Sequence, residues 1–230
     1  MRKLLVSLLL VVSVATFVSA ELLVTANPLG QGKWGFELAA MQDQTFMDVS
    51  GATLMTYGGY VGYGLMENLD AYLQLGTGSS SGLKWGVTAM DYTLTAYGLN
   101  LKYTVLTEGA SVPVSVAIGV GYKSLSGKFS MGGGSQDATG SQMGIAAGVS
   151  KVLAPFIPYG ALSYKSDTMS AGGTSMDATQ IDLTVGTAIA WSTQGAVMLE
   201  YTSQQVTPKA AGSSNYTSAQ IAAGVSYALQ

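Results

Sequence analysis

The chain has 230 residues, 48% of them hydrophobic and only 10% charged, with a formal net charge of −3. Having no Cys and no His, it excludes disulfide frameworks, Cys- or His-ligated metal sites, thiol nucleophiles and every mechanism that turns on imidazole. Thirty Gly and thirteen Tyr with so little charge also exclude a disordered chain, which would be charge-rich and aromatic-poor.

Residues 1–20 read as a secretory signal peptide. Arg2 and Lys3 form a charged start, Leu4 to Val18 is an apolar run, and Val18 and Ala20 supply small residues at the −3 and −1 positions of a cleavage site before Glu21. Removing them leaves eight Lys and no Arg against thirteen acidic residues, a net charge of −5. No Cys is present to carry a lipid anchor. An acidic surface without Arg does not suit nucleic acid, whose phosphates need basic contacts.

Beyond Ala20 no stretch approaches the ~18 apolar residues of a membrane helix. The apolar residues alternate instead. In 112–123, Val112, Val114, Val116, Ile118, Val120 and Tyr122 share one face and Pro113, Ser115, Ala117, Gly119, Gly121 and Lys123 the other. In 179–191, Ile181, Leu183, Val185, Ile189 and Trp191 face away from Gln180, Asp182, Thr184, Gly186 and Ala188. Period two over ten or more residues predicts long strands with one apolar and one small or polar face.

In chain order this reading predicts strands at 33–43, 52–65, 70–79, 93–105, 112–126, 140–152, 156–167, 179–191, 196–206 and 215–229. Short turns near 66–69, 106–111, 153–155 and 192–195 alternate with longer segments rich in Gly, Ser, Asp and Met at 44–51, 80–92, 127–139, 168–178 and 207–214. That alternation predicts an all-β, antiparallel, up-and-down transmembrane β-barrel of ten strands, with eight as the alternative; short turns face the periplasm and long loops the outside. The domain division is therefore 1–20 signal peptide and 21–230 barrel. Ile145-Ala146-Ala147-Gly148-Val149-Ser150 recurs as Ile221-Ala222-Ala223-Gly224-Val225-Ser226, consistent with a repeated hairpin unit. Asp91, Asp137 and Asp177 each sit where a long loop enters a descending strand, the place of an Asx turn or of an external cation ligand.

Aromatic positions separate lipid from water. With the strand parities above, Trp34, Tyr63, Tyr103, Phe156, Trp191 and Tyr227 fall near the periplasmic end, and Tyr57, Tyr97, Tyr122, Tyr164 and Tyr201 near the external end. Two girdles flanking an aliphatic band are the preference of amphipathic rings at membrane interfaces. Tyr57 to Tyr63 spans about 20 Å along a strand, short of the ~25 Å band expected. Lys151 has outward parity at the periplasmic end, where its ammonium can snorkel to headgroups.

The run Tyr57-Gly-Gly-Tyr-Val-Gly-Tyr-Gly-Leu-Met-Glu-Asn-Leu-Asp-Ala-Tyr-Leu-Gln-Leu-Gly76 resembles the strand, tight turn and strand of small outer-membrane β-barrel proteins of Gram-negative bacteria, the opacity-type and porin-like group. The resemblance implies a cell-envelope protein of the outer membrane, with outer-membrane lipid and the barrel-assembly machinery as partners. Members of the group end in an aromatic residue; here the last outward position is Leu229.

Inward parity collects Glu37, Lys102, Lys123, Lys165, Asp182 and Glu200. Strand order sets the acids on one wall and the lysines on the opposite arc, and two readings stay open: a transverse field across a narrow porin-like passage for small polar solutes, or internal ion pairs that fill a passive structural barrel. Enzymatic barrels rely on a His, and no spacing favours a Ser–Lys dyad with Lys123 or Lys165, so no catalytic, cofactor or metal site is expected. The alternative function is surface interaction of the adhesin type through the loops, where Met47, Met90, Met131, Met169 and Met176 sit among Gly and Ser.

Overall fold

The structure, a computed structural model, describes residues 25–44, 52–85, 88–131, 134–209 and 215–229. The leader at 1–20, and Met47 with most of 44–51 and 207–214, lie outside the described residues. The strands are β1 (Trp34–Asp43), β2 (Thr53–Met66), β3 (Leu69–Ser81), β4 (Lys84–Trp85), β5 (Thr88–Leu106), β6 (Ser115–Met131), β7 (Gly134–Ser150), β8 (Phe156–Ala171), β9 (Thr174–Ala190), β10 (Gly195–Pro208) and β11 (Tyr216–Leu229). Antiparallel pairing runs through chain neighbours, β1 meets β11, and β3 meets β5, so ten strands close into a barrel. The two-residue β4 pairs only with the start of β5. Closure gives each of the other ten strands a partner on both sides.

The register fixes the tilt. Stepping across the ladder from Trp34 through Tyr63, Ala71, Leu101, Val120, Ile145, Tyr164, Ile181 and Gln205 arrives at Thr217, three residues beyond the Gln220 that meets Asp43 at the far end of β1. A stagger longer than β1 itself inclines the strands by roughly 35–45° to the axis.

Side chains alternate across this wall, apart from bulges at the ends of β2 and β5. On β9, Leu183 is 57% exposed and points out, while its neighbour Asp182 is 0% exposed and points into the lumen. All eleven expected interface aromatics are outward, from Tyr63 at 37% to Tyr97 at 58% exposed, and Trp34 and Tyr63 pack against each other at 4.8 Å between centroids. Beyond the row of Trp34, Tyr63, Tyr103, Phe156, Trp191 and Tyr227 the outer face carries the exposed apolar side chains Leu65, Met66, Val105, Leu106, Val152 and Leu153. The apolar band is therefore taller than the separation of the two aromatic rows, which accounts for the short span noted in the sequence.

The segments expected as external loops depart from expectation. Residues 127–139 and 168–178 are not loops: β6 and β7 continue their ladder to Met131 and Gly134, and β8 and β9 to Ala171 and Thr174, with the turn made by Gly172 and Gly173 at φ of 55° and 78°. Period two persists there with its polarity reversed. Ser126, Lys128, Ser130, Ser135, Asp137 and Thr139 lie on the outer face, and Phe129, Ala138, Met169, Ala171, Met176 and Ala178 are buried inside. Asp91, Asp137 and Asp177 consequently stand within strands as cross-strand partners rather than at turns: Asp137 faces Lys128 at 3.9 Å and Asp177 accepts a 2.9 Å bond from Thr168. Met90, Met169 and Met176 are core residues, contrary to their expected place in adaptable loops. At the other end β6 begins at Ser115 rather than 112, because Gly109 and Val112 exchange backbone bonds in a turn ahead of Pro113.

Candidate functional site

The lumen is filled in three tiers. At the end formed by the extended hairpins lies an apolar core of Met41, Leu54, Leu83, Met90, Tyr92, Leu94, Leu125, Phe129 and Met169, with Tyr92 and Phe129 stacked at 4.4 Å.

Below it the inward positions turn polar, and a belt crosses the barrel. Lys165 on β8 forms an ion pair with Asp182 on β9, both at 0% exposure, and Asp182 also accepts from Ser163 at 3.2 Å and from Gln180. Lys123 lies opposite Gln142, which in turn lies opposite Asp167, all within 2% exposure. Glu200 accepts from Tyr159 at 2.9 Å, and Thr184 bonds Thr202 at 2.9 Å. Burial this complete demands that each charge be met by charge or hydrogen bond.

The third tier is the opposite mouth, at the short-turn end of the barrel, where residues 25–29 enter the lumen as an irregular strap. Side chains of the wall hold its backbone: Lys102 Nζ donates to the carbonyls of Thr25 at 3.2 Å and Asn27 at 2.7 Å, and Thr104 donates to that of Ala26 at 3.0 Å. Ser150 Oγ accepts from Ala26 N–H at 3.0 Å, Asp70 from Leu29 N–H at 3.1 Å, and Asn27 Oδ1 from the Ser115 hydroxyl. Ala26, 1% exposed, packs on Ala117 and Ala146, whose small side chains leave it room. Gly30 and Gly32, at φ of 90° and 77°, then turn the chain back, and Gly32 N–H and Lys33 C=O bond to Gly64 before β1 begins. Any Cβ at Gly64 would collide with the Gly30 carbonyl.

All six lumen charges named from the sequence face inward: Lys102, Lys123, Lys165, Asp182 and Glu200 are buried and Glu37 is half-buried. Their expected separation onto opposite walls does not occur. Lys165 sits beside Asp182 on the next strand, and Lys102 pairs with Asp70 at 3.2 Å. Sequence reasoning missed Asp70 and Asp167, which intersperse acids among the lysines. Both have inward parity, in step with Gln74 on β3 and Lys165 on β8, and that signal could have found them. The strap was missed too, since 25–33 carries no periodicity. Among the described residues no group of three or more acidic side chains is placed to hold a metal ion.

No protein-family model and no curated protein matches the chain. Solved structures similar to it include outer-membrane proteins and autotransporter barrel domains. The β domain of the Bordetella autotransporter BrkA is similar with a TM-score of 0.50 at 10% identity, over 87% of this chain and 100% of that one. The outer membrane protease OmpT from Escherichia coli scores 0.47 at 12% identity, over 86% and 96%. The translocator domain of the autotransporter NalP from Neisseria meningitidis scores 0.47 at 13% identity, over 98% and 93%. At these identities the likeness concerns the fold: a closed, ten-stranded, antiparallel barrel of the outer-membrane kind.

Proposed function

We propose that this chain is a passive, structural barrel of a bacterial outer membrane, exported behind residues 1–20 and closed at rest by its own interior. Placement in a membrane is supported by the reversal of polarity along the strands. Between the girdles the outside is aliphatic and the inside polar; above the external girdle the outside is polar and the inside apolar, the order a water-exposed barrel adopts.

The observation that carries the closed reading is the belt. Lys123, Gln142, Lys165, Gln180, Asp182 and Gln204 are at most 2% exposed, so their ends occupy the space a porin-like passage would need. Barrels of about eight strands are filled by side chains while water channels need about sixteen, and ten strands lie near the filled limit. The adhesin-type alternative draws less support, since Met90, Met169 and Met176 are buried. We assign the barrel no catalytic role and, as partners, outer-membrane lipid and the assembly machinery that inserts it.

Planar-bilayer recording of the purified chain tests this reading. The expected result is an electrically silent barrel under moderate voltage. Reproducible unitary steps whose ion selectivity shifts in Glu200→Gln or Lys102→Met would overturn closure and establish the porin-like passage instead.

A further inference from the structure

On the outer wall towards the extended hairpins, the tyrosines of β5, β6, β8 and β10 are each followed by a hydroxyl at the next outward position. Thr95 follows Tyr97, Ser124 follows Tyr122, Ser166 follows Tyr164 and Ser203 follows Tyr201. Thr77 on β3, Ser141 on β7 and Thr179 on β9 hold the same place beyond Leu75, Met143 and Ile181. The belt is unbroken over the seven strands from β3 to β10, about 30 Å of wall at the usual strand spacing, and lapses only at β11, β1 and β2, where Ala219, Gln42 and Met55 take its place. We propose that this belt is the contact surface for an uncharged, sugar-bearing lipid headgroup in the leaflet on that side, an inference that rests on the membrane placement proposed above.

The chemistry of the belt is that of a sugar face. Register partners run Thr77, Thr95, Ser126, Thr139, Ser170 and Ser175 across six strands, a hydroxyl at every step. Neighbours in such a ladder stand about 5 Å apart between Cβ atoms. Each hydroxyl both donates and accepts, as sugar hydroxyls do. A phosphate headgroup only accepts and calls for Lys or Arg. On β5, β6 and β7 the first outward charges are Asp91, Lys128 and Asp137, two of them acids, and Lys128 is matched by Asp137 at 3.9 Å.

The depth of the belt points the same way. Asp91, Lys128 and Asp137 each stand six residues beyond the outward Tyr97, Tyr122 and Met143. Six residues are about 20 Å of strand, or about 15 Å along the axis of a barrel tilted by roughly 35–45°. A phospholipid headgroup layer is only about 5–8 Å deep on each side of the hydrocarbon. An uncharged polar wall of twice that depth fits a headgroup extended by sugar rings. The short-turn end has no counterpart: there Leu65 follows Tyr63 and Val105 follows Tyr103, and Lys151 stands exposed. The two ends are thus built for different headgroups.

Electron spin resonance of lipids labelled on the acyl chain tests the proposal, with the full chain reconstituted in phosphatidylcholine vesicles. Labelled digalactosyl diacylglycerol should occupy the motionally restricted sites at the barrel wall about twofold or more in preference to labelled phosphatidylcholine of the same chains. That ratio corresponds to roughly one net hydrogen bond, diluted by the leaflet that does not discriminate. Replacing Thr95→Val, Ser124→Ala, Ser166→Ala and Ser203→Ala together should return the ratio to about one. A ratio of one in the native chain, a preference for phosphatidylglycerol over the galactolipid, or an unchanged ratio in the combined variant would each overturn the proposal and leave the barrel in its membrane. The absence of a restricted component from every lipid would overturn the membrane placement and the proposal with it. Should the combined variant fail to assemble, an unchanged ratio in the pair Ser124→Ala and Ser166→Ala overturns the proposal, and a lowered one supports it.

Discussion

A lysine at 0% exposure has no water to turn to, and the carboxylate of Asp182 stands beside the Lys165 ammonium in its place. Removing one partner leaves the other charge buried and unmatched, whereas removing both leaves a site that an apolar pair can fill. Lys165→Met and Asp182→Leu alone should each cost about 3–5 kcal/mol, and the double variant far less than their sum. Denaturant unfolding of the four proteins in lipid vesicles measures the cycle, and additive losses would show that the two charges do not stabilise each other. The sequence discloses half of this arrangement. Parity alone turns both side chains inward, because the period is two and one face is apolar. Their adjacency depends on the register that sets Lys165 opposite Gln180 and Ser163 opposite Asp182, and nothing in either strand taken alone states that offset.

At the scale of elements, strands between the girdles were legible and their external extensions were not, for one physical reason. An apolar outer face in register with a small or polar inner face announces a strand in lipid; once a strand leaves lipid, Ser, Thr, Lys and Asp take the outer face. Segments such as 127–139 then resemble the polar loops that Gly and Ser ordinarily signal. The inward Phe129, Ala138, Met169 and Met176 keep the alternation, but against a reversed background. The strap at 25–29 is legible by neither rule, since it is held by side chains from β3, β5, β6 and β7 rather than by a ladder of its own. Its order should therefore depend on single side chains. Ser150→Ala removes the acceptor of the Ala26 amide. Amide hydrogen exchange at Ala26 should accelerate by about tenfold while amides in the middle of β7 and β8 stay protected, the mark of local rather than global opening. Equal acceleration throughout the barrel would mean that the strap and the wall open as one unit.

For the whole molecule, the proposed membrane placement predicts where the outer face changes character, and β5 spans both changes. Its outward residues run from Asp91 and Thr93 through Tyr97, Leu99, Leu101 and Tyr103 to Val105. Leu101 lies near the centre of the apolar stretch between Tyr97 and Val105, whereas Asp91 lies three outward positions above Tyr97. A lysine at the first position must leave its charge in hydrocarbon or drag water inward, and on barrel walls near the midplane this costs about 2–4 kcal/mol. At the second position it replaces one solvated charge by another, opposite Ser130, at a cost within about 0.5 kcal/mol. Leu101→Lys should thus lower unfolding stability in vesicles by the larger amount and Asp91→Lys by almost nothing. Were the outer wall facing water, both lysines would be solvated and the difference between the two variants would vanish, so this one comparison on a single strand decides which solvent surrounds the barrel.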